Sequence, residues 1–374
     1  MMEKLDFLRN EIDRLDKSLL NILAKRLLLV SQIGELKSRF GLSVHAPDRE
    51  EMMFSSRRKE AEELGISPDL IEDILRRVIR ESYFNENEKG FKNLCPYLRP
   101  VIIISNDAGM GKLFNRMFIL SGYQVRFLEK EDLYLEEKNL QSACLVLIIA
   151  SISFTKIVIS KLPKLMNDCI LVNVSSIKDH ALLEIMLGFH RGPVLTLHPM
   201  FPSDIQNMIK QAIIYYKGRM SEMCQWLLDQ IRVWGVKLYS WDVIKHDKNI
   251  FSIQSFLYFI FFVFGLHLKD EDVDLKQILL LSCSMFRVEL AMAGRFFAKD
   301  SQFYIDDIIN SKNNLLMIKS YYQRVGEILF LLENNKMQDL NDCFDKIKCW
   351  FGGYTKLFLK ESQILLKYID DFKE

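Results

Sequence analysis

The sequence has almost no excess of charge of either sign. Its 374 residues include 50 Lys and Arg against 49 Asp and Glu, so the formal net charge is +1. A chain of this kind has no global electric field that would attract nucleic acid or a membrane surface. We therefore expect neither nucleic acid nor membrane as a partner.

Cysteine patterning is also missing. The seven cysteines are scattered without a CxxC pair, and this odd set fits a reducing compartment better than a disulfide framework. No metal site is predicted. The N-terminal segment is charged and amphipathic, so we expect no signal peptide and a cytoplasmic protein.

One apolar stretch, 250–266, could suggest a membrane span. It is interrupted by Ser252, Gln254 and Ser255, and it falls short of the roughly 20 residues that a spanning helix needs. We therefore predict a buried core helix.

The first 90 residues read as three helices. Apolar residues recur at helical spacing through 4–40 without an intervening proline, which predicts one long helix. A second helix is predicted at about 48–63, after Pro47. A third should begin at Ser67-Pro68, an N-cap followed by proline, and run to about residue 87.

The period changes after the stretch 89–100, which contains two prolines. Short β-branched runs at 101–105, 124–128, 145–150 and 169–174, with a helical stretch at 112–120, predict a parallel α/β sheet. From about residue 200 the pattern is mainly helical, with helices predicted at 204–216, 221–233, 246–267 and 274–295.

The cations of the first 90 residues can be placed by helix geometry. Arg26 and Lys37 share one helix face and lie about 16 Å apart along the axis, so both side chains can reach one ligand. Arg9 precedes Arg26 by roughly 25 Å and could join them only across a dimer interface. Ser82 and Glu86 share a face of the third helix. Spacing alone fits ordinary solvated charges better than a site.

A second candidate site is the turn between the strand at 101–105 and the following helix. A full dinucleotide fingerprint would have glycine at positions 106, 108 and 111, but only Gly111 is in place. Glu129 ends the second strand, near the position at which an acid binds a ribose hydroxyl, and favours NAD over NADP. By itself this signal is weak.

A resemblance to a known family supports both candidate sites. The segments LRNEIDRLD, LAKRLLLVSQIGELKSRFG, APDRE and RESYFNENEKG resemble the AroQ-type chorismate mutase domain. The resemblance implies that Arg26, Lys37 and Arg9 of a partner chain hold the two carboxylates of chorismate. Arg49, Glu50 and Ser82 would position its enolpyruvyl and hydroxyl groups. Lys37 and a protonated Glu86 would bind the ether oxygen as chorismate rearranges to prephenate.

The rest of the chain resembles the bifunctional chorismate mutase–prephenate dehydrogenase family of the enterobacterial T-protein type, through MGKLF, LSGYQVRFLE, GPVLTLHPMF and RVELAMAGRFFAKD. The resemblance implies that His198 accepts the ring hydroxyl proton of prephenate, oriented by Ser176, and that Arg295 holds a carboxylate. His246 and Arg287 would have secondary roles at the substrate. The residues implied to bind NAD are Asn106, Ala108, Gly109, Met110, Gly111, Glu129 and Ser151.

These readings predict an all-α mutase domain (1–90), a linker (91–99), a Rossmann-like α/β NAD-binding domain (100–198) and an all-α substrate-binding and dimerisation domain (199–374). The expected function is a bifunctional enzyme of tyrosine biosynthesis that acts as a homodimer on chorismate and prephenate. Because Asn106 and Ala108 replace glycines, an active mutase with a weakened or inactive dehydrogenase domain is the alternative. A third, non-catalytic reading is a sensor that binds tyrosine or prephenate.

Overall fold

The structure is a computed structural model that describes residues 2–106, 108–129, 137–175, 180–240, 250–298, 301–309 and 312–371. The chain divides into two compact units, Met1–Lys245 and His246–Glu374.

The first unit begins with the three predicted helices, which are confirmed. They are α1 (Met2–Phe40), α2 (Pro47–Glu63) and α3 (Pro68–Asn87). A proline in the first turn of α2 and of α3 needs no hydrogen-bond donor there. Both α1 and α2 pack against α3, and Gly34 lets α1 approach closely, since a Cβ there would lie 3.0 Å from the Cα of Glu86.

A seven-stranded sheet follows, in the order β2-β1-β3-β4-β5-β6-β7. All neighbouring strands are parallel except β5 and β6. Every residue of β1, β3 and β4 is buried, as expected for a parallel sheet covered on both faces. The strands are β1 (Val101–Ser105), β2 (Val125–Leu128), β3 (Leu145–Ile149), β4 (Ile170–Val174), β5 (Val194–Pro199), β6 (Ala212–Lys217) and β7 (Lys237–Ser240).

The helices of this layer connect successive strands and cover the sheet. They are α4 (Ala108–Leu120), α5 (Glu137–Ser142), α6 (Ile152–Lys161), α7 (His180–Phe189) and, after a short 3₁₀ turn, α8 (Gln225–Val233). The four strands predicted before residue 175 are confirmed, each to within one residue of its predicted bounds.

The helix predicted at 204–216 was wrong. Residues Ala212–Lys217 form strand β6, which pairs antiparallel with β5, and β7 was not predicted at all. The sheet therefore continues past residue 199, where we expected the helical domain to begin. The run AIIYYK is short and rich in β-branched and aromatic residues, which fit a half-buried strand better than a helix.

The second unit is helical. Its helices are α9 (Ile250–Asp270), α10 (Leu275–Leu281), α11 (Ser284–Phe297), α12 (Ser301–Ile309), α13 (Lys312–Glu333), α14 (Met337–Phe351) and α15 (Tyr354–Asp370). Tyr258, Phe296 and Tyr304 form an aromatic cluster where α9, α11 and α12 meet. The single helix predicted at 274–295 is divided at Ser282 and Cys283, which adopt extended backbone between α10 and α11.

The helix predicted at 250–266 is present in α9, but it is only partly buried in the single chain. Ser255 is buried, but Leu257, Phe262, Val263 and Leu266 on α9 are each 44–46% exposed. None of the helices within the described residues is long and apolar enough to cross a membrane.

Candidate active sites

The first candidate site lies between α1 and α3. Arg26 on α1 donates a hydrogen bond from Nη1 to the Oγ of Ser82 on α3. Glu86 lies one helical turn after Ser82 on α3, and its Oε2 lies 2.8 Å from the Nζ of Lys37 on α1. Ser82 is 4% and Glu86 7% exposed. The structure thus brings together two cations and two buried polar groups that the sequence predicted to share a pocket.

Burial sets the protonation preferences of this pocket. Loss of solvent raises the pKa of the Glu86 carboxyl, although Lys37 and Arg26 oppose that shift. Burial also lowers the pKa of Arg26, against the attraction of Glu86. Lys37 donates a further hydrogen bond to the carbonyl oxygen of Val44 at 2.7 Å. The pocket therefore holds cations beside a carboxyl whose neutral form is favoured more than in water.

Glu50 on α2 lies in a separate cluster of polar side chains. Its Oε1 accepts a hydrogen bond from the hydroxyl of Tyr83 and lies 3.6 Å from the Nε2 of His45. Its Oε2 accepts from the Nζ of Lys210 at 2.6 Å. Sequence reasoning missed Lys210, which lies 160 residues away in the segment between β5 and β6, because no local pattern links such distant positions.

Two other predicted mutase residues do not join these clusters through any described contact. Arg9 is exposed on α1, and its nearest ionic partner in the described part of the chain is Asp6, at 3.7 Å. Arg49 is exposed on α2 beside Glu50. Arg9 and Arg26 lie on the same continuous helix α1, and the helix rise places them roughly 25 Å apart.

The second candidate site lies at the carboxyl ends of β1 and β3, where the sheet order reverses direction. Ligands of open α/β sheets bind at such a switch point. Ser105 at the end of β1 donates to the carbonyl oxygen of Ile149 at the end of β3, at 2.8 Å. Ser151 then caps α6 by accepting from the backbone N–H of Phe154, and Glu129 directly follows β2. Asn106, Glu129 and Ser151 thus all follow carboxyl ends at the same edge of the sheet.

The turn from β1 into α4 retains one feature of a dinucleotide-binding turn, which is the close packing of the helix against the strand at Gly111. A Cβ at Gly111 would lie 2.6 Å from the Oγ of Ser105 and 3.1 Å from the ring of Phe127, so only glycine allows α4 to pack this closely. That close packing is the role of the third fingerprint glycine. The helix begins at Ala108, and a Cβ at Gly109 would lie 2.6 Å from the Oγ of Ser203. Met110 is buried below the turn.

These features fit a dinucleotide. The N-terminus of α4, which attracts phosphate, follows β1 at the switch point, and Gly111 keeps the helix packed against its strand. The glycines missing at 106 and 108 leave the fingerprint incomplete, so the fit rests on the fold rather than on the motif.

His198, on β5, is the third candidate group. It is 6% exposed, and its Nδ1 lies 2.7 Å from the carbonyl oxygen of Ser175. Because a carbonyl can only accept, Nδ1 carries the hydrogen and Nε2 carries the lone pair. Burial lowers the pKa of His198 to about 4. The imidazole is therefore neutral near pH 7, which is the protonation state that a general base requires.

The remaining predicted residues cannot be placed around His198. Ser176 and His246 lie outside the described residues. Arg287 and Arg295 both lie on α11 of the second unit, and Arg295 is exposed.

Comparison with known proteins decides the family. The chain is 50% identical over 371 residues to the T-protein of Enterobacter agglomerans, covering 99% of each chain. The chain belongs to the T-protein family. The T-protein of Haemophilus influenzae is 43% identical over 374 residues, covering 100% of this chain and 99% of that protein. The resemblance seen in the sequence is thus confirmed along the whole chain.

Two further comparisons concern single parts of this T-protein family member. Residues 8–87 match the family described as chorismate mutase type II. The crystal structure of prephenate dehydrogenase from A. aeolicus, in complex with hydroxyphenyl propionate and NAD+, superimposes with a TM-score of 0.52 at 13% identity. That match covers 67% of this chain and 96% of that chain, and it shows a common fold.

Proposed function

We propose that this chain is a bifunctional enzyme of tyrosine biosynthesis, which rearranges chorismate to prephenate and then converts prephenate to 4-hydroxyphenylpyruvate with NAD. The observation that carries the proposal is the 50% identity to a T-protein over 99% of both chains, which includes both candidate sites. The alternative of a mutase with a remnant dehydrogenase domain is not favoured, because this identity extends through the sheet and the C-terminal helices.

The mutase reaction needs no cofactor. It is a unimolecular rearrangement, so the protein contributes by restricting the conformation of chorismate and by stabilising the charge that develops as the ether bond breaks. Arg26 and Lys37 hold the carboxylates, and Ser82 orients Arg26 through their hydrogen bond. Lys37 and protonated Glu86, 2.8 Å apart, converge on the ether oxygen.

The dehydrogenase reaction uses the second site. Bound NAD would supply the hydride acceptor, and loss of a hydride from the prephenate ring would give a ketone that lets the ring carboxylate leave as CO2. We assign the residues after β1, β2 and β3, with the first turn of α4, to hold the dinucleotide. Neutral His198 accepts the hydroxyl proton at Nε2, and the Ser175 carbonyl fixes its tautomer. Ser176 and Arg295 orient the substrate, and His246 and Arg287 support it.

The proposed assembly is a homodimer in the cytoplasm. Arg9 is too far along α1 to reach the pocket of its own chain, so we propose that it serves the partner's pocket. The apolar residues Leu8, Ile12 and Leu15 are 50–68% exposed on the same part of α1, which supports a second copy packing there. The first 90 residues form the mutase part, 91–99 the linker, and the sheet region extends to residue 240.

One assay tests the two activities together. Purified protein is given chorismate and NAD, and the loss of chorismate and the formation of NADH are followed in parallel. We expect chorismate loss without NAD and NADH formation only with NAD. Chorismate loss with no NADH, even from added prephenate at millimolar NAD, would contradict the dehydrogenase assignment. If chorismate persists, the mutase assignment is wrong.

A further inference from the structure

We propose that Lys210, a residue of the sheet region, is a positioning residue for the mutase reaction and acts by holding Glu50 of α2. The inference rests on the proposed mutase function and on the role that the family resemblance implies for Glu50, which is to position chorismate. The observation behind it is the bond of 2.6 Å from the Nζ of Lys210 to the Oε2 of Glu50.

The contacts of Glu50 leave little freedom to its carboxylate. Tyr83 donates to Oε1 while Lys210 donates to Oε2, so both oxygens are held from different sides. The Nζ of Lys210 also lies 5.5 Å from the centre of the Tyr83 ring, within range of a cation–π contact. Lys210 thus contacts both the carboxylate of Glu50 and the ring of Tyr83, the other side chain that orients this carboxylate.

The backbone presents Lys210 from a fixed turn. Met208 and Ile209 are 0% and 5% exposed and anchor the segment in the core. The N–H of Lys210 donates to the carbonyl of Gly235 at 3.0 Å. Lys210 has a φ of 63°, a left-handed conformation that residues other than glycine rarely adopt. A side chain on such a support can hold a partner in one geometry.

An ordinary surface ion pair would have little effect on either activity. The Lys210–Glu50 pair differs from one because the Glu50 side chain is only 14% exposed and because its carboxylate has a proposed role toward substrate. If Lys210 is removed, the Oε2 of Glu50 loses its partner, and the carboxylate can turn away from the geometry that binds the ring hydroxyl. Misplacement of about 1 Å in an active site can cost up to a hundredfold in rate.

The test is a double-mutant cycle on the full chain, with Lys210→Met, Glu50→Gln and the double variant. We expect Lys210→Met to lower mutase kcat/KM about tenfold or more, mainly by raising KM, since the hydroxyl contact is made in substrate and transition state alike. Lys210→Arg should restore most of the loss. The double variant should be no worse than Glu50→Gln alone, because Lys210 acts only through Glu50.

Lys237→Met is the matched control. Lys237 lies on β7 and acts on His45 through its charge, so its replacement also removes one positive charge from this region without breaking a bond to Glu50. Mutase kcat/KM should stay at the wild-type value in this variant. Thermal unfolding of every variant identifies misfolding, and Lys210→Gln replaces Lys210→Met if the latter does not fold.

Two results would overturn the role of Lys210: wild-type mutase kinetics in Lys210→Met, or losses that multiply in the double variant. Failure of the proposed function has a different signature, since the wild-type protein itself would then leave chorismate unconverted.

Discussion

At Glu86, burial and charge act on one carboxyl in opposite directions. Burial raises its pKa, while Lys37 and Arg26 lower it, and burial prevails. The protonated form therefore persists to a higher pH than it does for an ordinary glutamate, and it is lost as the pH rises further. Only the protonated carboxyl can donate a hydrogen bond to the ether oxygen of chorismate.

Glu86→Gln should flatten the pH dependence of the mutase. In the wild type, kcat should fall as rising pH removes the proton from Glu86. The amide of glutamine donates at every pH, so the variant should keep its activity where the wild type loses it. The measurement is the pH profile of mutase kcat, with Glu81→Gln, an exposed carboxyl on the same helix, as control. An identical slope in the wild type and Glu86→Gln would contradict a donor role for Glu86.

The sequence predicted part of the first site and could not predict the rest. Helix spacing alone placed Arg26 and Lys37 on one face, because a helix has a fixed rise and rotation per residue. The same rule put Ser82 and Glu86 together on α3. Lys210 reaches Glu50 only through the fold of a strand connection 160 residues away, and no local rule describes such a contact.

At the scale of elements, the close contact between β1 and α4 depends on Gly111, because glycine has no side chain. Gly111 faces the Oγ of Ser105 and the ring of Phe127 so closely that a Cβ would lie 2.6 Å and 3.1 Å from them. Ser105 is itself tied to Ile149 on β3. A side chain at 111 would therefore push α4 away from the strand ends at which we place the dinucleotide.

Gly111→Ala should destabilise the protein and weaken NAD binding together. Overpacking of a buried contact costs about 1–3 kcal/mol in the free energy of unfolding, which urea denaturation measures, and fluorescence titration measures NAD affinity. Gly188→Ala is the control, since a Cβ on that α7 glycine would meet nothing within 4 Å. Should Gly111→Ala leave NAD affinity unchanged, α4 would not be part of the cofactor site.

Strand β6 is an element for which the local sequence pattern gave the wrong prediction. The apolar spacing of 204–216 suited a helix, yet the segment pairs with β5 and contributes Ile213, which is fully buried in the sheet. The apolar spacing was misleading, because the β-branched and aromatic residues of 212–217 favour a strand, and the antiparallel pairing with β5 depends on the whole fold. The strands β1, β3 and β4 were predictable because each is a short run rich in β-branched residues that is buried on both faces.

At the scale of the whole molecule, α1 exposes an apolar face that the described residues leave uncovered. Leu5, Leu8, Ile12, Leu15 and Leu19 are 45–68% exposed and form an apolar stripe along one side of the helix. Arg9 lies within the same segment. In a symmetric dimer that covers this stripe, the Arg9 of each chain would lie at the pocket of the other chain.

Mixed dimers can test whether Arg9 acts in the partner's pocket. Arg9→Ala and Arg26→Ala should each abolish most mutase activity when alone. In a mixed dimer, the pocket of the Arg9→Ala chain has its own Arg26 and the partner's Arg9, so one of two sites is complete. Co-expression in equal amounts should restore about a quarter of wild-type kcat, for a two-fold dimer with random pairing.

The pair Arg26→Ala and Lys37→Ala is the control for this restoration. Both residues belong to the pocket of their own chain, where they contact Ser82 and Glu86 of α3. Every mixed dimer of these two variants therefore has a defect in each site, and its activity should stay at the level of the separate variants. If Arg9→Ala with Arg26→Ala behaves in the same way, Arg9 does not cross the interface, and the exposed face of α1 must serve another contact.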